Sequence, residues 1–304
     1  MSRKVSRKGI VAIIIYLIAF ISVICGIFYY IPDRQAAIPV ALFVFSGVGI
    51  WLFTPIREDL ENFVKNLFIK KSIYRICTFG RAGSGKTTFI TTAFTFCDTA
   101  KPIISTENFD YYNYKVPLEL RNYMDVEIAD YRGQKPGQII NHADPGFFGA
   151  EGSRVLNAIV FIVDLIPRKN DEHGNPLNDE ALFNWLIDGD IIDKIKERVY
   201  EQESYIGDAI LEILIDSLHS KNLKSVILVI NKLDLIDKLI DNGHLDISNF
   251  NDSKKYAEHH FKRMINNISR ACGENNIKFS IFTICGKKTD DTKPVINCLL
   301  RGGN

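Results

Sequence analysis

The chain has 304 residues, 46% of them hydrophobic, which is enough to bury a large core and to carry one sizeable domain together with a further segment. Its 37 basic residues stand against 36 acidic ones, so the composition has no cationic bias of the kind nucleic-acid binding requires, and no nucleic acid is expected as a partner. Six scattered cysteines (Cys25, Cys77, Cys97, Cys272, Cys285, Cys298) include no CxxC pair and read as reduced thiols, while His259 and His260 adjoin on a predicted helix and so point to different faces; neither pattern supports a metal or disulfide framework.

The first predicted elements are two uncharged apolar runs. GIVAIIIYLIAFISVICGIFYYIP lies between Lys8 and Asp33, and QAAIPVALFVFSGVGIWLFTPI between Arg34 and Arg57. About 20 apolar residues cross a hydrocarbon core as a helix. Residues 1–56 are therefore predicted to form a membrane hairpin, with spans at about 9–31 and 36–56 and the turn PDRQ between them. Tyr29, Tyr30 and Trp51 sit near the span ends, where amphipathic rings suit the interface. The first run is longer than the ~7 to 15 apolar residues of a cleaved signal peptide, and a second run comes at once after it. Arg3, Lys4, Arg7 and Lys8 precede the first span, only Arg34 lies in the turn, and Arg57, Lys65, Lys70 and Lys71 come after the second. The positive-inside bias puts both ends in the cytosol, as in a bacterial inner-membrane or ER-type protein. REDLENFVKNLFIKKS then reads as an amphipathic, basic-ended linker over residues 57–71, lying on the membrane surface or simply connecting.

From residue 72 onward apolar strands alternate with helical stretches, which predicts an α/β domain: a mainly parallel sheet covered by helices on both faces. Strands are expected at Ile73 to Phe79, Tyr111 to Val116, Met124 to Ala129, Ala158 to Asp164, Ser225 to Ile230 and Lys278 to Ile284. Such sheets bind ligands at the carboxyl ends of their strands, so the residues just past each strand end carry the functional information.

After the first strand comes GRAGSGKTT, Gly80 to Thr88, and then the helical FITTAFTF. Gly80, Gly83 and Gly85 let the loop turn its amides inward, and Ser84, Thr88 and the helix N-terminus add donors for phosphate oxygens. Lys86 is placed to bridge phosphates, and the Thr87 hydroxyl to hold Mg2+. This strand, loop and helix read as a nucleoside triphosphate site.

After the third strand comes DYRGQ. Asp130 at the strand end can hold the Mg2+ shell, the Gly133 amide can approach the γ-phosphate, and Gln134 can orient an attacking water. After SVILVI comes NKLD. The Asp234 carboxylate can accept from both guanine N1–H and the exocyclic amine, where adenine offers an acceptor instead; Lys232 can lie along the base, and Asn231 can tie this loop to the phosphate loop. After FSIFTI come Cys285, Gly286 and Lys287, whose amides can meet the guanine O6.

With these four elements in this order, the chain from about Ser72 resembles the Ras-like P-loop GTPases, with CGK in the place of that superfamily's SAK. TENFDYYNYK is similar to the first switch of the Arf-like group and of the SRP receptor β subunit, which also carries a membrane anchor before its G domain. The resemblance implies a G domain over residues 72–304 that binds GTP and GDP with Mg2+. It implies that Thr106 caps the γ-phosphate and the metal with Phe109 nearby, and that GTP is hydrolysed as a switch that engages a protein effector or regulator. Ala82 departs from the glycine of Ras-type loops; its methyl group lies toward Gln134, which implies slow turnover without a partner. Arg132, inside the second switch, reads as a solvent or partner contact, and no arginine finger is assigned.

Two further stretches exceed the part that the resemblance covers. One is KPGQIINHADPGFFGAEGSR, Lys135 to Arg154; the other is a largely helical insertion over about 166–222, in which ALFNWLI and YIGDAILEILIDSL have apolar residues at helical spacing and Trp185 is expected to be partly exposed. Its helices either pack on the domain or form a partner-binding lobe, and IPRKNDEHGNP before them reads as a mobile polar loop. A GTP-binding scaffold without turnover, and a secretion-system inner-membrane NTPase-like component, are the other functional classes open to the sequence. A reporter fused after Asn304 is expected on the cytosolic side, with the glycosylation-type sequences at Asn251 and Asn267 unmodified; a reporter on the far side overturns the hairpin.

Overall fold

In a computed structural model of the chain, the described residues are 73–301, apart from 96, 98–103, 118–122, 133–137, 143, 151–154 and 219–221, together with Tyr29. The two predicted spans and the linker at 57–71 therefore lie outside the described residues, as do Gly133 and Gln134. Among the described residues no helix is long and apolar enough to cross a membrane.

The described residues form seven strands: β1 (Ile73–Phe79), β2 (Ile104–Ser105), β3 (Phe109–Pro117), β4 (Tyr123–Tyr131), β5 (Ala158–Asp164), β6 (Ser225–Asn231) and β7 (Lys278–Thr283). They make one sheet in the order β2-β3-β4-β1-β5-β6-β7. Five strands, β4, β1, β5, β6 and β7, pair in parallel, whereas β2 and β3 run antiparallel at one edge. The predicted mixed α/β fold with a mainly parallel sheet is therefore present. β1 is where the order turns back: from it the chain passes to the edge strand β2, returns inward through β3 to β4 on one side of β1, and then builds outward through β5, β6 and β7 on the other. An open α/β sheet binds its ligands at such a point, beyond the carboxyl ends of the strands.

The central strands are buried on both faces, which explains their unbroken apolar sequences. Every residue of AIVFIVD in β5 and of SVILVIN in β6 is buried. Alternate side chains enter separate cores, as the pleat requires. Tyr74, Ile76, Val160, Ile162, Ile227 and Val229 pack with α1 (Lys86–Ala93), through Phe89, Ile90 and Ala93, and with the C-terminal helix of the domain, through Val295, Ile296 and Leu299. Cys77, Phe79, Ile159, Phe161, Val163 and Leu228 point to the other face.

That second face is covered by short helices α2 (Ile139–His142) and α3 (Pro145–Phe148), then α4 (Asp179–Ile187), α5 (Ile191–Tyr205), α6 (Asp208–Leu218), α7 (Leu233–Asp241), α8 (Ser253–His260) and α9 (Lys262–Glu274). The C-terminal helix is α10 (Thr289–Arg301). The insertion thus supplies three helices that pack on the sheet, with Leu186, Ile195, Leu214 and Leu218 fully buried or nearly so and Trp185 half-buried. The starts of two of these helices are locally encoded: Asn178 caps α4 by accepting from the Ala181 amide, and Asp190 caps α5 by accepting from Asp193. The segment expected to be a mobile polar loop is instead a hydrogen-bonded hairpin. Asn170 bridges Pro176, Asp171 N–H donates to Asn175 O at 2.7 Å, and the Asp171 carboxylate accepts from His173 and Asn175 amides at 2.9 and 2.8 Å. The Asx-type side chain replaces the backbone bonds that a polar, glycine-containing sequence otherwise lacks.

Phe79, the last residue of β1, ties this core to the functional end of the sheet. Its ring stacks on Tyr131 of β4 at 5.6 Å and on Tyr205 of α5 at 5.2 Å, and meets Phe161 of β5 edge-on at 5.9 Å. Phe79→Ala is expected to destabilise the domain by about 3 to 5 kcal/mol in urea denaturation, and Phe79→Leu by markedly less; a loss below about 1 kcal/mol in the alanine variant would refute this placement.

Candidate functional site

The loop between β1 and α1 is shaped by its glycines. Gly83 and Gly85 have φ of 82° and 87°, a conformation that side-chain-bearing residues rarely adopt. Gly80 is required for another reason: a Cβ there would lie 2.2 Å from Ile162 O of β5. Among the described residues no side chain caps α1. Its first regular backbone bond runs from Phe89 N to Gly85 O, so the amides of Lys86, Thr87 and Thr88 precede it at an open helix N-terminus. Ser84 Oγ is buried without a hydrogen-bond partner among the described residues.

Lys86 is buried and its ammonium donates to Gly80 O at 2.8 Å, closing the loop on itself. Burial lowers its pKa, opposed by the Asp130 and Asp164 carboxylates. Asp130, the penultimate residue of β4, accepts from Thr78 Oγ1 at 2.9 Å and from Thr87 Oγ1 at 3.0 Å. Its carboxyl pKa is raised by burial, against the pull of Lys86 and of the two threonine hydroxyls. Thr87 and Asp130, both expected at a Mg2+ ion, are thus brought together.

Asn231 at the end of β6 joins three loops. Its Nδ2 donates to Ser84 O at 3.0 Å, and its Oδ1 accepts from the Gly286 amide at 2.7 Å and the Lys232 amide at 2.8 Å. Both glycines facing it are needed, since a Cβ would lie 2.3 Å from the Asn231 amide nitrogen at Gly85 and 2.7 Å from its oxygen at Gly286. Lys232 has φ 64°, a left-handed conformation that is costly for a lysine. Its side chain is anchored: Nζ meets Asp164 Oδ2 at 2.5 Å and donates to Ile166 O at 3.0 Å.

These loops surround a cavity of about 430 Å³. Gly83, Gly85, Lys86, Thr87, Thr88, Arg168 and Lys169 line one end, and Asn231, Lys232, Asp234, Leu235, Gly286 and Lys287 the other, with Pro176, Leu177, Asp179 and Leu182 of the insertion between. The lining holds the cations Lys86, Arg168, Lys169, Lys232 and Lys287 and the carboxylates of Asp179 and of Asp234, the latter in the first turn of α7. Burial pushes the Cys285 thiol up, and the Asp234 carboxylate beside it adds to that.

Several predicted site residues take other roles. The Cys285 amide donates to Asp291 Oδ2 at 3.0 Å and the Gly286 amide to Asn231, so two of the three amides expected at a base carbonyl are already engaged within the protein. The Lys287 ammonium pairs with Asp179. Thr106 closes the β2–β3 turn, its hydroxyl donating to Phe109 O at 3.0 Å and accepting from the Phe109 amide at 3.0 Å. It lines a cavity with Tyr111, Glu127 and Phe147 that is separate from the one Thr87 lines. Arg132 pairs with Asp110 of β3 at 3.0 Å rather than standing free.

Sequence reasoning missed Arg198 and Asp164. Asp164 is fully buried at the end of β5; Arg198 of α5 meets it at 2.7 Å, Gln202 donates to it at 2.6 Å, and Lys232 holds its other oxygen. Arg198 also donates to Ala82 O at 3.3 Å and to Glu201 at 3.1 Å, and Glu201 in turn pairs with Arg81 at 3.0 Å. The backbone of the loop between β1 and α1 is thereby held from the insertion. The signal was an arginine and a glutamine at i and i+4 on the same helix face as Ile191, Ile195 and Val199, where an apolar stripe would otherwise continue.

No family model matches this chain, and no curated protein matches it. The residues present nonetheless fit a bound phosphate group. The uncapped amides of Lys86, Thr87 and Thr88 and the buried Lys86 ammonium belong to residues that line the cavity, and each is a donor of the kind phosphate oxygens accept from. Among the described residues no cluster of three His, Cys, Asp or Glu side chains is placed to bind a metal alone. A Mg2+ ion fits only as one shared by Thr87, the Asp130 region and phosphate oxygens. Asn231→Ala removes one partner from each of Ser84 O, Gly286 N and Lys232 N; it is expected to cost about 1 to 3 kcal/mol in unfolding free energy. Wild-type stability in that variant would show that the three loops do not depend on it.

Proposed function

We propose that this chain is a GTP-binding protein of the Ras-like P-loop class, held at a membrane by its N-terminal segment, which binds and hydrolyses GTP as a switch on the cytosolic face. The observation that carries the reading is the Asn231 carboxamide. It draws the phosphate-loop sequence, the NKLD sequence and the CGK sequence, 147 and 55 residues apart along the chain, around one cavity of nucleotide-binding size. The meeting of three sequence motifs with independent chemical readings at one cavity supports a single ligand that spans them.

In this reading the loop amides, the α1 N-terminus and Lys86 bind and orient the phosphates, so that negative charge gained in the transition state meets fixed donors. Thr87 and Asp130 would hold Mg2+, which would supply further neutralisation of the phosphates. Gln134 positions the attacking water, Ala82 makes turnover slow without a partner, and Asp234 reads the base. The membrane attachment rests on the uncharged runs at about 9–31 and 36–56.

Base identity is the decisive test. The Asp234 carboxylate pairs with two donors on guanine; an asparagine offers one donor and one acceptor, matched by the 2-carbonyl and N1–H of xanthine. Asp234→Asn is expected to lose GTP by tenfold or more, on the basis of about 1 to 3 kcal/mol per unpaired buried polar group, and to gain XTP. Affinities for GTP, ATP and XTP at fixed Mg2+ check this. Equal ATP and GTP binding by the wild type, or a GTP preference that survives in the variant, would overturn the guanine reading.

A further inference from the structure

The hairpin that opens the insertion does more than connect β5 to α4. Arg168 lies in its first arm, where its side chain runs directly over the phosphate loop: a Cβ built on Gly83 would meet Arg168 Cβ at 2.8 Å, Cδ at 3.0 Å and Cγ at 3.3 Å. The glycine is therefore needed twice, for its φ of 82° and for the room it leaves to this arginine. The guanidinium is exposed. Its Nε donates to Asn170 Oδ1 at 3.2 Å, and among the described residues no carboxylate pairs with it. It lines the 430 Å³ cavity with Lys169, and the two also border an adjoining cavity of about 420 Å³ with Arg81, Ala82, Asn170, Arg198 and Glu201, whose carboxylate pairs with Arg81 and Arg198.

The hairpin is held at both ends. Leu177 N–H donates to Lys169 O at 2.9 Å, Asn170 bridges Pro176, and just beyond, Asp179 at the start of α4 pairs with Lys287 across the base end of the cavity. Pro176 and Leu177 form the wall between. An arginine fixed over a phosphate-binding loop by its own backbone, with a planar fork of donors and no acidic partner among the described residues, is arranged for a multivalent anion.

We propose that Arg168 is a phosphate-binding residue of the nucleotide site, supplied in cis by the insertion. The inference rests on the nucleotide reading of this cavity. Bound phosphate oxygens meet Lys86 and the loop amides on one side and the Arg168 guanidinium on the other, and the stem of Arg168 shields Gly83 from solvent. The insertion is thereby part of the ligand site as well as of the core.

The test is equilibrium binding of GDP, GTP and guanosine to the full chain in detergent, comparing wild type with Arg168→Ala, Arg168→Lys and Lys86→Ala. Arg168→Ala is expected to weaken GDP and GTP about tenfold, the scale of one charge-assisted hydrogen bond, and to leave guanosine unchanged. Arg168→Lys should fall between, because a point charge lacks the fork, and the difference between wild type and Arg168→Ala should narrow at high ionic strength. The nucleotide-free unfolding midpoint should not move, since the side chain is exposed. Wild-type GDP and GTP affinity in Arg168→Ala, with Lys86→Ala impaired, overturns this inference alone; an equal loss for guanosine does so too, by showing a structural role. A wild type that binds none of the nucleotides, or a Lys86→Ala variant that binds them normally, overturns the reading beneath it.

Discussion

The organisation of this domain depends on a single side-chain amide. Asn231 ends β6, and its carboxamide satisfies Ser84 O, Gly286 N and Lys232 N at once. None of those three backbone groups lies in a regular ladder, and each sits where a loop leaves the sheet, so an alternative partner would have to be water in a partly buried space. The amide has one donor side and one acceptor side, and both are engaged. An isosteric leucine or aspartate cannot do the same, the first lacking polar atoms and the second lacking the donor. The close approach of Gly85 and Gly286 has the same origin. Those residues have no side chain because the Asn231 side chain occupies the place a Cβ would take.

A second buried node lies behind the first. Asp164 is withdrawn from solvent among Arg198, Gln202 and Lys232. Removing a carboxylate from water is costly, and a buried ion pair is often no more stabilising than an apolar replacement. Its use here is geometric: it fixes Lys232, whose backbone is left-handed, on one side, and Arg198, which reaches Ala82 O, on the other. The base-side loop and the phosphate-side loop are therefore coupled twice, through Asn231 in front and through Asp164 and Arg198 behind. Because α5 carries Arg198, the insertion cannot be removed without exposing a buried charge.

The sheet was largely legible in the sequence. β1 and β5 occupy the predicted spans, and β6 runs one residue further; β5 and β6, buried on both faces, write nearly uninterrupted apolar runs, whereas β1 is marked off by the glycine after Phe79 despite Arg75 in its middle. The gathering of Lys86, Thr87, Asp130, Asn231 and Asp234 at one end of the sheet was legible too, since each ends a parallel strand or lies just past one. Three features were not. β2 is a two-residue edge strand, too short for any periodic pattern. The hairpin at Arg168 is polar throughout and is held by Asp171, so its order comes from side-chain to backbone bonds that composition does not reveal. Helix α5 hides its role because two of its core positions are Arg198 and Gln202, which read as surface until Asp164 is seen opposite them.

The inward-facing polar side of α5 bears on the role of the insertion. A lobe built only to receive a partner would turn its specialised residues outward and pack on the domain through an ordinary apolar face. Here the apolar face is present, in Leu186, Ile195 and Leu214, but the specialised residues also reach the loops at the sheet end: Arg198 to Ala82, Glu201 to Arg81, Asp179 to Lys287, Arg168 over Gly83. Four contacts to the loops of one cavity, from a hairpin and two helices, make the insertion the third wall of that cavity. A change at the ligand is then felt directly by α4 and α5, whose outer surfaces, including the exposed Tyr200, face solvent. If the site is a switch, as proposed, these helices transmit it by rigid contact with the loop between β1 and α1.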